Sequence, residues 1–194
     1  SRAVAENMRA ALAPFVTQSN FPPEQDGIVE DQELIAIGSN GSLKSAVALT
    51  EYGYIYEPQL QAPEVREAFL NEMAFQTYRG VKKFFEPSYD GPPQSHGSAL
   101  LPYLWKHPMR SGMKGSADVF ALQIALAREG LYPPEGATLA GCPIIGSYGS
   151  CTARAVRAFQ KRYAEEIAHA AEGEEIDGEV SNGTLAVLAA RYGR

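Results

Sequence analysis

This chain of 194 residues offers few starting points for chemistry. Its histidines are His96, His107 and His169, its cysteines are Cys142 and Cys151, and its acidic residues are numerous. His96 lies in a Ser95-His96-Gly97 triplet, the best candidate in the chain for a catalytic group. The next residues are Ser98 and Ala99, and the nearest cysteine lies far along the chain, so no thiolate nucleophile adjoins this imidazole. Three scattered histidines are a poor basis for a metal site, and Cys142 and Cys151 have no nearby histidine to complete the four ligands of a structural zinc. Paired carboxylates for glycan cleavage stay open, because Asp and Glu are plentiful and no spacing singles out a pair. The expectation is no catalytic residue, no metal and no cofactor.

The cysteines carry a different message. Cys142 and Cys151 bracket the short segment PIIGSYGS, and a disulfide closing so short a loop contributes about 2 to 3 kcal/mol in the chain-entropy model. Such a bond pins a turn around Tyr148 to the start of the next helix, and it implies an oxidising, extracytoplasmic location.

Three amphipathic helices must position these residues. Gly146 and Gly149 flank Tyr148 as a tight turn requires. Ser150 or Thr152 then caps a helix whose Val156, Phe159, Tyr163 and Ile167 recur along one face. Upstream, Ser116 is the expected N-cap of a helix with Val119, Leu122 and Leu126 as its stripe, ending at Gly130. Downstream, the turn Asp177-Gly178 leads into a helix carrying Leu185, Leu188 and Tyr192, with Gly193 past its end. Leu122, Leu126, Val156, Phe159 and Leu185 are expected in the core. Gln123 and Gln160 adjoin core positions, where a carboxamide bonds the backbone of a neighbouring turn.

The motifs G-x-x-G-x-x-D-V-x-x-L-Q, G-x-Y-G-x-x-T-x-x-A-V-x-x-F-Q and D-G-x-V-x-x-x-T-L follow one another from Gly112 to Leu185. In this order they resemble the peptidoglycan-binding-like domain of bacterial cell-wall proteins over about residues 110 to 194. The resemblance implies a three-helix bundle and a cell-wall glycan as partner. It also implies a shallow groove beside the turns for sugar hydroxyls and peptide carboxylates, lined by Tyr148, Arg154, Arg157, Gln160 and Asp177. Arg154 and Arg157 are three apart and share one side of their helix, offering bidentate donors to a carboxylate. Two departures stand out: a longer loop from Pro133 to Gly141, and roughly a dozen extra residues at 164–175 whose acidity is expected to reshape or cover the groove. The Ser95-His96-Gly97 triplet is similar to part of the S-H-G-C motif of L,D-transpeptidases and to zinc peptidases of the D-Ala-D-Ala type. The cysteine of the first and the downstream Asp of the second are missing.

The N-terminal part, residues 1–108, resembles no family. The fold class expected is mainly α: a C-terminal three-helix bundle at 109–194, preceded by a mostly helical region with few short strands. Residues 1–18 carry a stripe of Val4, Met8, Ala11, Leu12, Phe15 and Val16. An acidic connector follows at 21–33 and lacks the full ligand loop of a calcium site, then a short apolar strand at Glu33–Gly38, and a segment at Ser39–Leu49 that reads equally as helix or strand. Pro63 opens the longest helix, with Val65, Phe69 and Met73 as its stripe, continued by Val81, Phe84 and Phe85 until Pro87 stops it. Residues 86–97 read as a loop. Trp105 and Tyr103 are expected to pack where the two parts meet rather than to stack on a sugar.

Composition narrows the partners. The net charge of −6, from 17 basic and 23 acidic residues, argues against nucleic acid, and no apolar run approaches the length of a bilayer helix. Ser1 is not an initiating Met and no leader follows it, so a fragment or a mature form is expected. The leading expectation is a secreted, non-catalytic cell-wall protein that binds peptidoglycan. One alternative is a structural subunit of an extracellular filament or surface layer, self-associating through the same domain. The other is a wall hydrolase with an unfamiliar N-terminal catalyst.

Overall fold

The computed structural model describes residues 1–17, 27–30, 45–92 and 95–193. Among the described residues the chain forms seven helices and no strand. The strand expected at Glu33–Gly38 and most of the acidic connector lie outside the described residues, as does the start of the Ser39–Leu49 segment.

The longest helix, α3, runs Pro63–Phe85 after the single turn of α2, Pro58–Gln61. Pro63 suits the first helical position because the helix needs no donor there, Glu64 lies in the first turn, and Lys82 and Lys83 lie in the last, each sign matched to its end of the dipole. Its buried face begins apolar with Val65, Phe69 and Met73, then turns polar with Glu72, Gln76 and Arg79. The apolar stripe therefore ends before Gly80. Phe84 and Phe85, expected to extend it, are exposed and pack edge to face on each other at 5.0 Å.

Helix α1, Arg2–Leu12, crosses α3 at Gly80, where a side chain would strike the Met8 backbone. It is shorter than expected because Pro14 has no N–H, so the helical ladder breaks after Ala13 and the N–H groups of Phe15 and Val16 both turn back to the Leu12 carbonyl. Met8, Leu12 and Phe15 are buried all the same, which covers the apolar stripe within the chain.

The C-terminal helices are α4 at Ala117–Arg128, α5 at Ser150–Arg162, α6 at Ala164–Ala170 and α7 at Asn182–Tyr192. Ser116 caps α4 by accepting the Val119 N–H at 3.3 Å. Helix α5 starts differently from expectation: Gly149 holds the cap position without a side-chain cap, and Thr152 turns its hydroxyl inward to the Ser147 carbonyl. Tyr163, with φ −116° and ψ 28°, breaks the expected face into two helices and starts α6, yet Val156, Phe159 and Ile167 are all buried.

One cluster of buried side chains runs from Leu12 and Phe15 through Val65, Phe69 and Met73 to Phe120, Leu126, Phe159, Leu188 and Tyr192. It crosses residue 108 without interruption, and the Phe69 and Phe120 rings meet edge to face at 6.3 Å. The connecting segment belongs to this core. Trp105 is buried and its Nε1–H donates to the Asp118 carbonyl at 3.0 Å, while the Tyr103 hydroxyl donates to the Asp118 carboxylate at 2.7 Å.

Candidate functional site

Three turns lie side by side at one end of the bundle: 109–116 in the middle, 145–149 on one flank and 177–181 on the other. The middle turn bonds to both. Gly112 N–H donates to the Tyr148 carbonyl at 2.9 Å, Tyr148 N–H to Met113 at 2.8 Å and Ser116 N–H to Gly146 at 3.1 Å. On the other side Met109 and Val180 exchange hydrogen bonds at 3.0 and 2.8 Å, and Ser111 N–H donates to the Glu179 carboxylate at 2.9 Å.

Each flanking turn is held from beneath by a glutamine. Gln123 of α4 accepts the N–H groups of Ile145 and Gly146 at 3.2 and 3.0 Å, and its Nε2 donates to the Ser147 carbonyl and Thr152 Oγ1. Gln160 of α5 accepts the Gly178 N–H at 2.9 Å and donates to the Glu179 carbonyl at 2.9 Å and Thr184 Oγ1 at 3.2 Å. A carboxamide presents donor and acceptor together, so one buried side chain satisfies both polarities of a turn that would otherwise bury unpaired backbone. Gly146 and Gly178 take φ +70° and +85°. A Cβ on either would also press on its neighbours, at 2.7 Å from Val65 Cγ2 and 2.5 Å from the Ala153 carbonyl oxygen. Gly149, by contrast, has φ −103° and open space around it, so the turn does not require glycine there.

These contacts correct the expected groove. Tyr148 and Gln160 are each only 1% exposed and present no face to a ligand. The Tyr148 hydroxyl instead donates to the Gly178 carbonyl at 2.8 Å and joins the flanking turns. Burial, and then the nearby Glu179 and Asp177 charges, push its phenol far up, which keeps that proton in place. Arg154, Arg157 and Asp177 do reach the surface or its margin. Their guanidiniums diverge: Arg154 donates to the Glu135 carbonyl at 2.6 Å in the 133–141 loop, and Arg157 donates to the Asp177 carbonyl at 2.5 Å. Each uses one of several N–H groups there. Asp177 accepts the Glu179 N–H at 2.8 Å and carries its carboxylate at the exposed edge of the turn.

The two departures from the family pattern are built into the same frame. Cys142 and Cys151 are joined, with Cα atoms 5.8 Å apart, which ties the end of the 133–141 loop to the first turn of α5. The acidic segment 164–175 packs α6 on α7 and delivers Glu174 to the start of α7. There the carboxylate accepts Gly183 N–H at 2.6 Å, Thr184 N–H at 2.8 Å and the Thr184 hydroxyl. The segment thus supplies an N-cap, and its Glu175 carbonyl also receives Gln160 Nε2 at 3.4 Å.

Glu129 is a residue that the sequence did not single out. Its carboxylate accepts Tyr163 OH at 2.8 Å, Tyr192 OH at 2.9 Å and Arg162 Nη1 at 2.9 Å. Burial alone would push its carboxyl up, but those hydrogen bonds and the Arg162 charge outweigh burial and hold it below the ordinary range. The one available signal was its place just after the last periodic residue of α4, where two tyrosines from other helices converge only in space.

Of the catalytic possibilities, Ser95 Oγ donates to the Pro92 carbonyl at 2.7 Å and accepts the Gly97 N–H at 3.2 Å, which closes a turn. His96 is exposed and packs on Tyr192. Both cysteines are in the disulfide. Among the described residues no three His, Cys, Asp or Glu side chains gather as a metal site would need, and no helix is long and apolar enough to cross a membrane.

Residues 115–164, in the C-terminal part, match the family described as "Putative peptidoglycan binding domain". The match takes in α4, the Gln123-held turn and α5. None of the curated proteins or solved structures compared matches the chain.

Proposed function

We propose that this is a secreted cell-wall protein of the extracytoplasmic space that binds peptidoglycan through residues 109–194 and does not cut it. The observation that carries this reading is that the matched segment takes in α4, the Gln123-held turn and α5, which with the turns at 109–116 and 177–181 form one stack held by Gln123, Gln160 and Tyr148. Around it Arg154, Arg157 and Asp177 supply charge at the rim. The arginines take the carboxylates of the peptide stems, for which a guanidinium is a geometric match, and Asp177 takes sugar hydroxyls. Tyr148 and Gln160 act as positioning residues that keep the turns in register. The Cys142–Cys151 bond supports an oxidising location.

The test is co-sedimentation of the whole chain with purified peptidoglycan, followed by analysis of the supernatant for released fragments. The expected result is saturable retention with no soluble muropeptides. Absence of retention would overturn the binding reading, and accumulation of muropeptides would replace it with the hydrolase.

A further inference from the structure

Away from the turn stack, residues 90–92, His96, Gly97, the last turn of α4 and the end of α7 border a cleft of about 420 Å3, lined in part by Asp90, Gly91, His96, Gly97, Arg128 and Tyr192. Arg128 projects over Gly97 so closely that a Cβ on that glycine would lie 2.7 Å from the guanidinium carbon. It makes no hydrogen bond or ion pair with any described residue. The acid in the cleft is already engaged, since Asp90 accepts Arg79 Nη2 at 2.9 Å and lies 3.5 Å from Lys83 Nζ. Among the described residues, therefore, the exposed Arg128 guanidinium at this cleft has no counter-charge.

Two further features accompany it. Among the described residues His96 is the non-glycine residue with positive φ, at +48°, a conformation that disfavours a side chain and persists where its surroundings impose it. That backbone sets the imidazole 5.2 Å from the Tyr192 ring, edge to face. Tyr192 has no free hydroxyl to offer, because it donates to Glu129, so its ring serves as a wall. On the Gly91 side, Arg79 is 6% exposed and its Nε–H has no hydrogen-bond partner among the described residues. A Cβ on Gly91 would come within 3.7 Å of that nitrogen.

We propose that this cleft is a binding site for a small organic or inorganic anion, a carboxylate or phosphate group, held by the Arg128 guanidinium with His96 beside it. The planar fork of an arginine matches either group through paired N–H donors. The site belongs to neither part of the chain alone: Asp90, Gly91, His96 and Gly97 come from the N-terminal part, while Arg128 and Tyr192 come from α4 and α7. An anion here would link residues 1–108 to the bundle at a place remote in sequence from the turns that carry the proposed wall binding.

The experiment is NMR titration of the full chain with two probes, inorganic phosphate and N-acetylglycine, following the Gly97 amide and the Arg128 Nε–H. Saturable shifts at both groups are expected with at least one probe. Response to phosphate alone assigns a phosphate ligand, response to N-acetylglycine alone a carboxylate, and response to both a site for either. Arg128→Ala should weaken the titration by about tenfold or more, as loss of a charge-assisted pair implies. His96→Gly should raise the unfolding midpoint by relieving the backbone while weakening the probe. If Arg128→Ala does not fold, Arg128→Gln supplies the same comparison. Absence of shifts with both probes, or titration unchanged in the arginine variants, would overturn the proposal.

Discussion

Two regions of the molecule solve one problem with different chemistry. In the C-terminal part, the neutral carboxamides of Gln123 and Gln160 hold the turns at 145–147 and 178–179. In the N-terminal part, α3 holds the 97–99 loop with a charged series. Glu72, fully buried, accepts the Ser98 hydroxyl at 2.7 Å and the Ala99 N–H at 2.9 Å, and Gln76 and Arg79 both donate to the Gly97 carbonyl. The carboxamide is neutral and needs no counter-charge. Charge, in contrast, must be compensated when buried, which is why the second series runs on through Arg79 to Asp90 at the surface. The turns are consequently held from beneath by neutral side chains, and the loop at 97–99 by a buried ionic series.

Truncating the hooks should have the largest effect. Gln160→Ala strands the Gly178 N–H and the Glu179 carbonyl, while the Thr184 hydroxyl keeps Glu174 as its partner, and at about 1 to 3 kcal/mol per buried unpaired group it should cost roughly 3 to 4 kcal/mol. Gln123→Ala should behave alike, and urea unfolding measures both. On the other side, Glu72→Gln places an amide N–H against that of Gln76, for an expected loss of about 2 kcal/mol. Equal losses in all three variants would erase the distinction between the two hooks.

The disulfide comes next. Joint replacement of Cys142 and Cys151 by Ser should lower stability by about 2 to 3 kcal/mol, with the loss read from unfolding with and without reductant. Alkylation of both thiols in the native, unreduced protein would remove the argument for an oxidising compartment.

Glu129 gives the smallest and most specific effect. Because its folded carboxyl is held low by Tyr163, Tyr192 and Arg162 despite its burial, its contribution is present above the unfolded carboxylate value, near pH 4.3, and fades as pH falls through the lower folded value. Glu129→Gln should be less stable at neutral pH and should lose less than the parent between about pH 5 and 3. Parallel acid curves would contradict this account of Glu129.

Much of the C-terminal frame was legible because its signals are local. Ser116, the stripe of Val119, Leu122 and Leu126, and Gly178 each act within a turn or two of their own position. What stayed hidden depends on distant partners. Gln76 bonds a carbonyl 21 residues away, so the polar run of α3 looks like a solvated face until the loop arrives to cover it. Tyr148 shows the converse. An aromatic bracketed by glycines reads as a presented ring, but its hydroxyl finds Gly178 thirty positions on and the ring is buried in reaching it. Arg154 and Arg157 share a helix face as their spacing implied, yet the Pro133–Gly141 loop and the Asp177 turn draw them apart.

The central claim, that the rim of the turn stack binds the cell wall, is tested most directly by comparing the parent with the Arg154→Ala, Arg157→Ala double variant for retention on purified peptidoglycan, after thermal unfolding has shown both to be folded. Loss of the two guanidiniums should weaken retention by about tenfold or more with little change in unfolding midpoint. Undiminished retention by a folded double variant would contradict the account and place the binding surface elsewhere on the chain.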